Sequence, residues 1–212
     1  QGDRDSTLAT ATLRLGYEIS PALRPFIEGE GGRRLYDEKL DGAGYARSAD
    51  RYSVRAGVEL DLREKLTGEF AAGWLTERPD DDRLEDISGF VAQGNLAWSP
   101  VRGTTVELSG STEVEGTTEV GETGSLLYSG NLALSRQLRA DLTGRALIGI
   151  DWRDYAGSGA HDMVLRGEAS LTWWMNRYAG ITGRARHELQ RSNIAGRDYD
   201  ATSVYLGMTL QR

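Results

Sequence analysis

Few residues in this sequence have the chemistry to break a bond. It contains two histidines, His161 and His187, and no cysteine. Thiolate nucleophiles, thiolate metal sites and disulfides are therefore excluded, and imidazole is the one side chain that ordinarily titrates near neutrality. His161 beside Asp162 is the nearest approach to a catalytic couple, because a carboxylate can orient an imidazole as a general base. No serine or second acid stands at a suggestive spacing, so both are read as polar residues of a loop. His187 falls on an apolar register and is read as an interfacial side chain. The run PDDDRLED at 79–86 gathers carboxylates suited to hard divalent cations, such as those bridging lipopolysaccharide phosphates. A solvated loop is the preferred reading. The chain is thus expected to be no enzyme and to hold no metal site and no cofactor.

Charges at a spacing of two are far more numerous. Arg14 shares a register with Glu18, Glu28 with Glu30 and Arg34, and Arg55 with Glu59 and Asp61. The same holds for Glu107 with Glu113, Arg145 with Asp151, Arg166 with Glu168, and Arg184 with Arg186 and Glu188. The intervening register carries Leu13, Leu15, Val54, Val58, Phe70, Phe90, Leu108, Leu132, Ile148, Ile150, Leu206 and Met208. In a strand, successive side chains point to opposite faces, so one face is ionic and the other greasy. A basic residue facing lipid near mid-membrane costs about 2–4 kcal/mol. About twenty such charges would exceed a typical stability of roughly 5–15 kcal/mol. If the greasy face meets lipid, the ionic face must line water. The predicted pore lining is Arg14, Glu18, Glu28, Glu30, Arg55, Glu59, Asp61, Glu107, Arg145, Asp151, Arg166, Glu168, Arg184, Arg186 and Glu188.

The elements that would hold these residues are strands. MVLRGEASLTWW (163–174) alternates throughout, as do segments at 7–19, 51–63, 87–99, 104–116, 125–136, 140–154, 181–192 and 202–211; 25–36 and 66–77 do so less cleanly. That gives about eleven strands, most of ten residues or more, where globular strands average about five or six and membrane strands need roughly 9–11. Short connections (SPALR at 20, REK at 63, SPVRG at 99, SRQLR at 135, MNRYAG at 175) take turns with long polar ones at 37–50, 77–86, 116–124, 155–161 and 192–200. This is the layout of an outer-membrane barrel, with short turns periplasmic. Tyr17, Trp98 and Trp173 fall near the short-turn ends, and Trp74, Tyr128 and Trp152 near the long-loop ends, as two interfacial girdles would. A soluble sheet sandwich also alternates, but it predicts shorter strands and gives no reason for aromatics at strand ends. Pairing the strands at 163–174 and 181–192 about Arg177 sets Arg166 opposite Glu188 and Glu168 opposite Arg186, a register that charge matching selects.

Composition agrees. Of 212 residues 27 are glycine and 4 proline, an imbalance that disfavours long helices, and no apolar run approaches the roughly 20 residues of a membrane helix. A net charge of -7 argues against binding a phosphate backbone, so nucleic acid is not an expected partner.

LAWSP at 96–100 leading into TTVELSGSTE, then LALSRQLRADLTGRA, then the stretch from WWMNRYAG to the end, resembles the C-terminal part of the β-barrel porin type 2 proteins of proteobacterial outer membranes. RLGYEISPALRPFIEGE and DRYSVRAGVELDL fit as well. The resemblance implies a Gram-negative outer-membrane location and a transport or polysaccharide-export role, with no catalytic residues. The ending Leu210-Gln211-Arg212 departs from the aromatic terminus common among such barrels.

The expectation is therefore an all-β, antiparallel transmembrane β-barrel, one domain over 1–212 lacking an N-terminal portion, with about eleven strands here and twelve or more in the complete protein. The expected function is a water-filled, charge-lined channel for hydrophilic solutes or export of a polysaccharide. The alternative is a non-conducting structural or assembly component of an outer-membrane complex. Outer-membrane lipid and lipopolysaccharide are the expected partners, with membrane or periplasmic proteins besides.

Overall fold

A computed structural model describes residues 6–36, 40, 44–46, 48–63, 65–115 and 124–211. The strands are β1 (Ser6–Gly16), β2 (Leu23–Tyr36), β3 (Ala49–Asp61), β4 (Leu66–Pro79), β5 (Ile87–Trp98), β6 (Thr104–Glu115), β7 (Ser125–Arg139), β8 (Leu142–Tyr155), β9 (His161–Trp174), β10 (Ala179–Ser192) and β11 (Tyr199–Leu210). All eleven form one sheet in chain order, each antiparallel to its neighbours. Strands run from 11 residues in β1 to 15 in β7, the length a tilted membrane strand needs and twice that of an ordinary globular one. Among the described residues β1 ladders with β2 and β11 with β10.

Local chemistry explains the short turns. Gly103 takes a φ of 76° as the chain reverses between β5 and β6, where the Thr104 N–H donates to the Val101 carbonyl at 3.0 Å. Asn176 closes the β9–β10 turn by accepting from the N–H groups of Tyr178 at 2.8 Å and Ala179 at 3.0 Å. One turn differs from expectation. The SRQLR stretch at 135–139 belongs to β7, and the reversal is confined to Ala140 and Asp141, with an irregularity between Gln137 and Arg139. Polar residues at a strand end imitate a loop in composition while their backbone still pairs. At the other side, β4 extends through Pro79, β8 through Tyr155 and β11 from Tyr199, shortening the expected long connections. The greater part of the 116–124 connection lies outside the described residues.

Burial is inverted relative to a sheet folded for water. Leu13, Leu15, Val54, Phe70, Phe90, Leu108, Leu132, Ile148 and Met208 are exposed, and Leu206 keeps 77% of its surface. On the opposite face Glu28 retains 5% and Glu77 4%. The apolar positions are not packed between stacked sheets, so the sandwich is excluded. Aromatics bracket this greasy band. Trp173 pairs with Leu142, ten residues below Trp152 on β8. At about 3.3 Å per residue that is roughly 33 Å along the strand, or about 25 Å along the normal for a tilt near 40°. A hydrocarbon band of that height is what outer-membrane barrels present.

The charged face is not uniformly polar. Phe26, Ala71, Leu75, Ile87 and Val91 are buried on it, a small apolar cluster under β2, β4 and β5 that strict alternation did not predict. Gly57 makes the cluster possible: a side chain there would run into the Phe26 ring and the Phe70 carbonyl.

Candidate functional site

The charged face is the candidate site, and its guanidinium and carboxylate groups assemble in three zones. The densest lies on β1–β5. Arg14 Nε donates to Glu28 at 2.7 Å, while its Nη1 reaches across β2 and β3 to Glu69 on β4 at 2.9 Å. Neighbouring strands lie about 4.8 Å apart, so a bridge between strands three apart requires a concave surface. Arg14 also lies over the Phe26 ring at 4.0 Å, a cation–π contact made from within the apolar cluster. Arg55 holds Glu28 at 2.7 Å, Glu30 at 3.1 Å and Gln93 at 2.8 Å. Arg51 joins Glu30 at 3.1 Å to Glu77 at 3.6 Å, and Arg34 meets Glu77 at 2.8 Å. Four guanidinium groups (Arg14, Arg34, Arg51, Arg55) thus balance four carboxylates (Glu28, Glu30, Glu69, Glu77), which makes their burial tolerable.

The second zone sits at the short-turn ends. Arg24 bridges Glu18 and Glu59, each at 3.3 Å, and Asp61 accepts the Arg63 backbone N–H at 3.0 Å. Glu59, Asp61, Glu69 and Asn95 line a polar recess of about 500 Å³. Glu107 reaches over β7 to Arg145 at 3.1 Å, with both side chains nearly half exposed.

The third zone covers β8–β11. Arg166 grips Asp151 through two bonds of 2.6 and 2.8 Å, Arg184 meets Glu168 at 3.4 Å, and Arg186 pairs with Glu188, which also accepts the Tyr199 hydroxyl. The register expected for β9 and β10 is observed, with Arg166 opposite Glu188 and Glu168 opposite Arg186. Yet the closest ion pairs run to Asp151, Arg184 and along β10 instead. Arginine is long enough to prefer a diagonal or next-strand partner over the one directly opposite.

All fifteen expected lining residues therefore lie on or beside one face and enter these zones. Sequence reasoning left out Arg24, Arg51 and Glu77 as lining residues. Glu77 falls where the expected strand at 66–77 meets the expected loop at 77–86, and its i−2 spacing from Leu75 continues the β4 alternation. Carboxylates remain in excess on this face: Asp61 and Glu113 carry no ion pair among the described residues.

His161 and Asp162 do not form a couple. They are successive residues of β9 rather than of a loop, so they point to opposite faces. His161 stacks on Trp152 with centroids 4.6 Å apart. Asp162 is buried, accepting from Tyr155 at 2.8 Å with Arg197 at 3.5 Å and Arg153 at 4.0 Å. His187 sits on the apolar face as expected, its Nδ1 2.9 Å from the Thr202 hydroxyl. In the loop beyond β4, Asp81 is held well below the usual carboxylate range by Arg83 and by the Ala46 backbone N–H. That places its carboxylate within protein contacts rather than in open solvent. No group of three or more potential metal ligands is found among the described residues.

A family model described as "putative beta-barrel porin 2" matches residues 1–212. No curated protein and no solved structure matches the chain.

Proposed function

Because the chain belongs to the putative beta-barrel porin 2 family, a family of membrane barrels with a channel-like role, we propose that it forms a water-filled channel of the bacterial outer membrane. The solutes it passes are small and hydrophilic, with a preference for cations. One observation carries the reading: ionic side chains gather on the face opposite the exposed apolar band. The cation preference follows from Asp61 and Glu113, which form no ion pair among the described residues, and from the acidic recess at the short-turn end, since carboxylates concentrated in a narrow passage raise local cation concentration. A polysaccharide conduit would call for aromatic platforms along the lumen. On the charged face Tyr155 and Tyr199 are engaged through their hydroxyls and Tyr205 faces Arg184 at 5.7 Å, which favours small solutes.

A second reading draws on the β1–β5 zone, where charges are packed and buried rather than arrayed around water. It makes the barrel a non-conducting structural component of an outer-membrane complex. Conductance of purified protein in planar bilayers separates the two. Stepwise ohmic events with a reversal potential on the cation side support the channel, and a silent bilayer despite demonstrable insertion supports the structural role.

A further inference from the structure

Between β5 and β6 the wall is incomplete. The ladder joins Gly94–Trp98 to Val106–Gly110, whereas every other neighbouring pair is laddered over eleven residues or more. Just above the last rung, the side-chain oxygen of Thr112 substitutes for backbone pairing, accepting the Ala92 N–H at 3.1 Å and donating to its carbonyl at 3.2 Å. In an antiparallel strand alternate residues address the same neighbour, so the N–H and C=O groups of Phe90 and Ser88 face this edge with no rung on β6. Leu126 and Tyr128 of β7 lean over to β5 at Gly89: a Cβ there would lie 2.6 Å from Leu126 Cδ1 and 3.3 Å from the Tyr128 hydroxyl.

Directly below, on the apolar side, lies a groove of about 440 Å³ whose walls are Phe70, Leu96, Leu108, Ile150 and Trp152. It is continuous with the lipid-facing surface, since Phe70, Leu108, Ile150 and Trp152 belong to the exposed band. The arrangement is amphiphilic in order, with an apolar channel at mid-membrane and, toward the long-loop side, β5 backbone donors and acceptors that have no β6 rung among the described residues. Hydrocarbon offers such groups no hydrogen-bond partner, so a polar ligand at that edge is favoured over acyl chains alone.

Resting on the barrel reading above, we propose that the β5–β6 seam is a binding site for one membrane phospholipid. An acyl chain fills the groove, the ester and phosphate oxygens accept from the N–H groups of the β5 edge, and the headgroup ammonium donates to its carbonyls. Charge selects the headgroup. Asp154, two residues above Trp152 on the same face of β8, and the exposed Arg78–Asp86 pair at 3.3 Å present two carboxylates and one guanidinium near the long-loop ends of β8 and β4. A zwitterionic headgroup, with one cation and one anion, fits that balance, whereas the two phosphates of lipid A would meet two carboxylates with one guanidinium between them.

Native mass spectrometry of the full chain, reconstituted with phosphatidylethanolamine or with lipid A and re-extracted in mild detergent, tests this. Gly110 lies beside the seam, and a Cβ there meets nothing closer than the Ser129 carbonyl at 3.4 Å, so Gly110→Phe fills the groove without displacing backbone. Gly29→Phe, on the apolar face of β2 with nothing within 4 Å, is the control. The expected result is one retained phosphatidylethanolamine on wild type and on Gly29→Phe, reduced about tenfold by Gly110→Phe. Should that variant not fold, Gly130→Leu serves in its place, its Cβ 3.5 Å from Ile150. Equal retention by all variants, retention of lipid A instead, or a co-purified polypeptide in place of lipid would each overturn the proposal while leaving the barrel reading intact. Failure of wild type to insert into vesicles would overturn both.

Discussion

At the scale of single residues, burial decides which charges matter. Glu28 is almost fully enclosed between Arg14 and Arg55, whereas Glu107 faces Arg145 in a half-open pair. Removing one partner of a buried pair leaves a charge without compensation and costs about 3–5 kcal/mol. Removing one partner of an exposed pair costs roughly 0–1 kcal/mol. Urea unfolding in micelles should therefore show a large loss for Glu28→Ala and almost none for Glu107→Ala. A second residue-level outcome concerns pH. In the β7–β8 turn the Asp141 carboxylate accepts the Trp173 indole N–H at 2.9 Å and lies near Arg139 at 3.2 Å. The indole hydrogen bond foremost, with help from Arg139, holds its pKa below the ordinary value. A lowered folded-state pKa stabilises above the ordinary carboxylate value of about 3.9 and loses that contribution as the pH falls further. Trp173 emission should thus be constant from neutrality to about pH 4 and change below it, and Asp141→Asn should remove the acid-side change.

At the scale of the strand, alternation carried most of the information available in the sequence. Within it, charge matching placed the β9–β10 register correctly, because a slip of two residues would set Arg166 against Arg186 or Glu168 against Glu188. Alternation misleads where composition overrides period: His161 and Asp162 read as loop residues, and Gln137–Arg139 as a turn, because polar side chains near strand ends are solvated at the interface in either conformation. Ion-pair partners were not legible either. Arg14 reaches Glu69 three strands away, a contact set by curvature rather than by spacing along the chain. The strand-level prediction is a polarity of tolerance across the neighbouring strands β8 and β9. Ile148→Arg, on the exposed apolar face, should destabilise by about 2–4 kcal/mol in vesicles, whereas Gln at Ser170 on the charged face of β9 should be nearly neutral. Folding titrations monitored by electrophoretic mobility before and after boiling would compare them.

At the scale of the whole molecule, eleven long antiparallel strands, two aromatic levels and an inverted burial pattern belong together only in a bilayer. Selectivity is a property of the whole lining. Glu59→Gln combined with Asp61→Asn should move the reversal potential toward the anion side in a salt gradient, an effect that weakens as ionic strength rises. Beneath that stands the claim that neighbours in sequence meet different solvents. The chain has no cysteine of its own, so single cysteines placed successively along 163–174 in vesicle-inserted protein can be probed with a water-soluble maleimide. Reactivity should alternate, high at Ser170→Cys and low at Leu171→Cys, with quenching by brominated acyl chains following the opposite rhythm. Uniform reactivity, or a rhythm with Leu171→Cys open to water and Ser170→Cys closed, would contradict the assignment of the two faces.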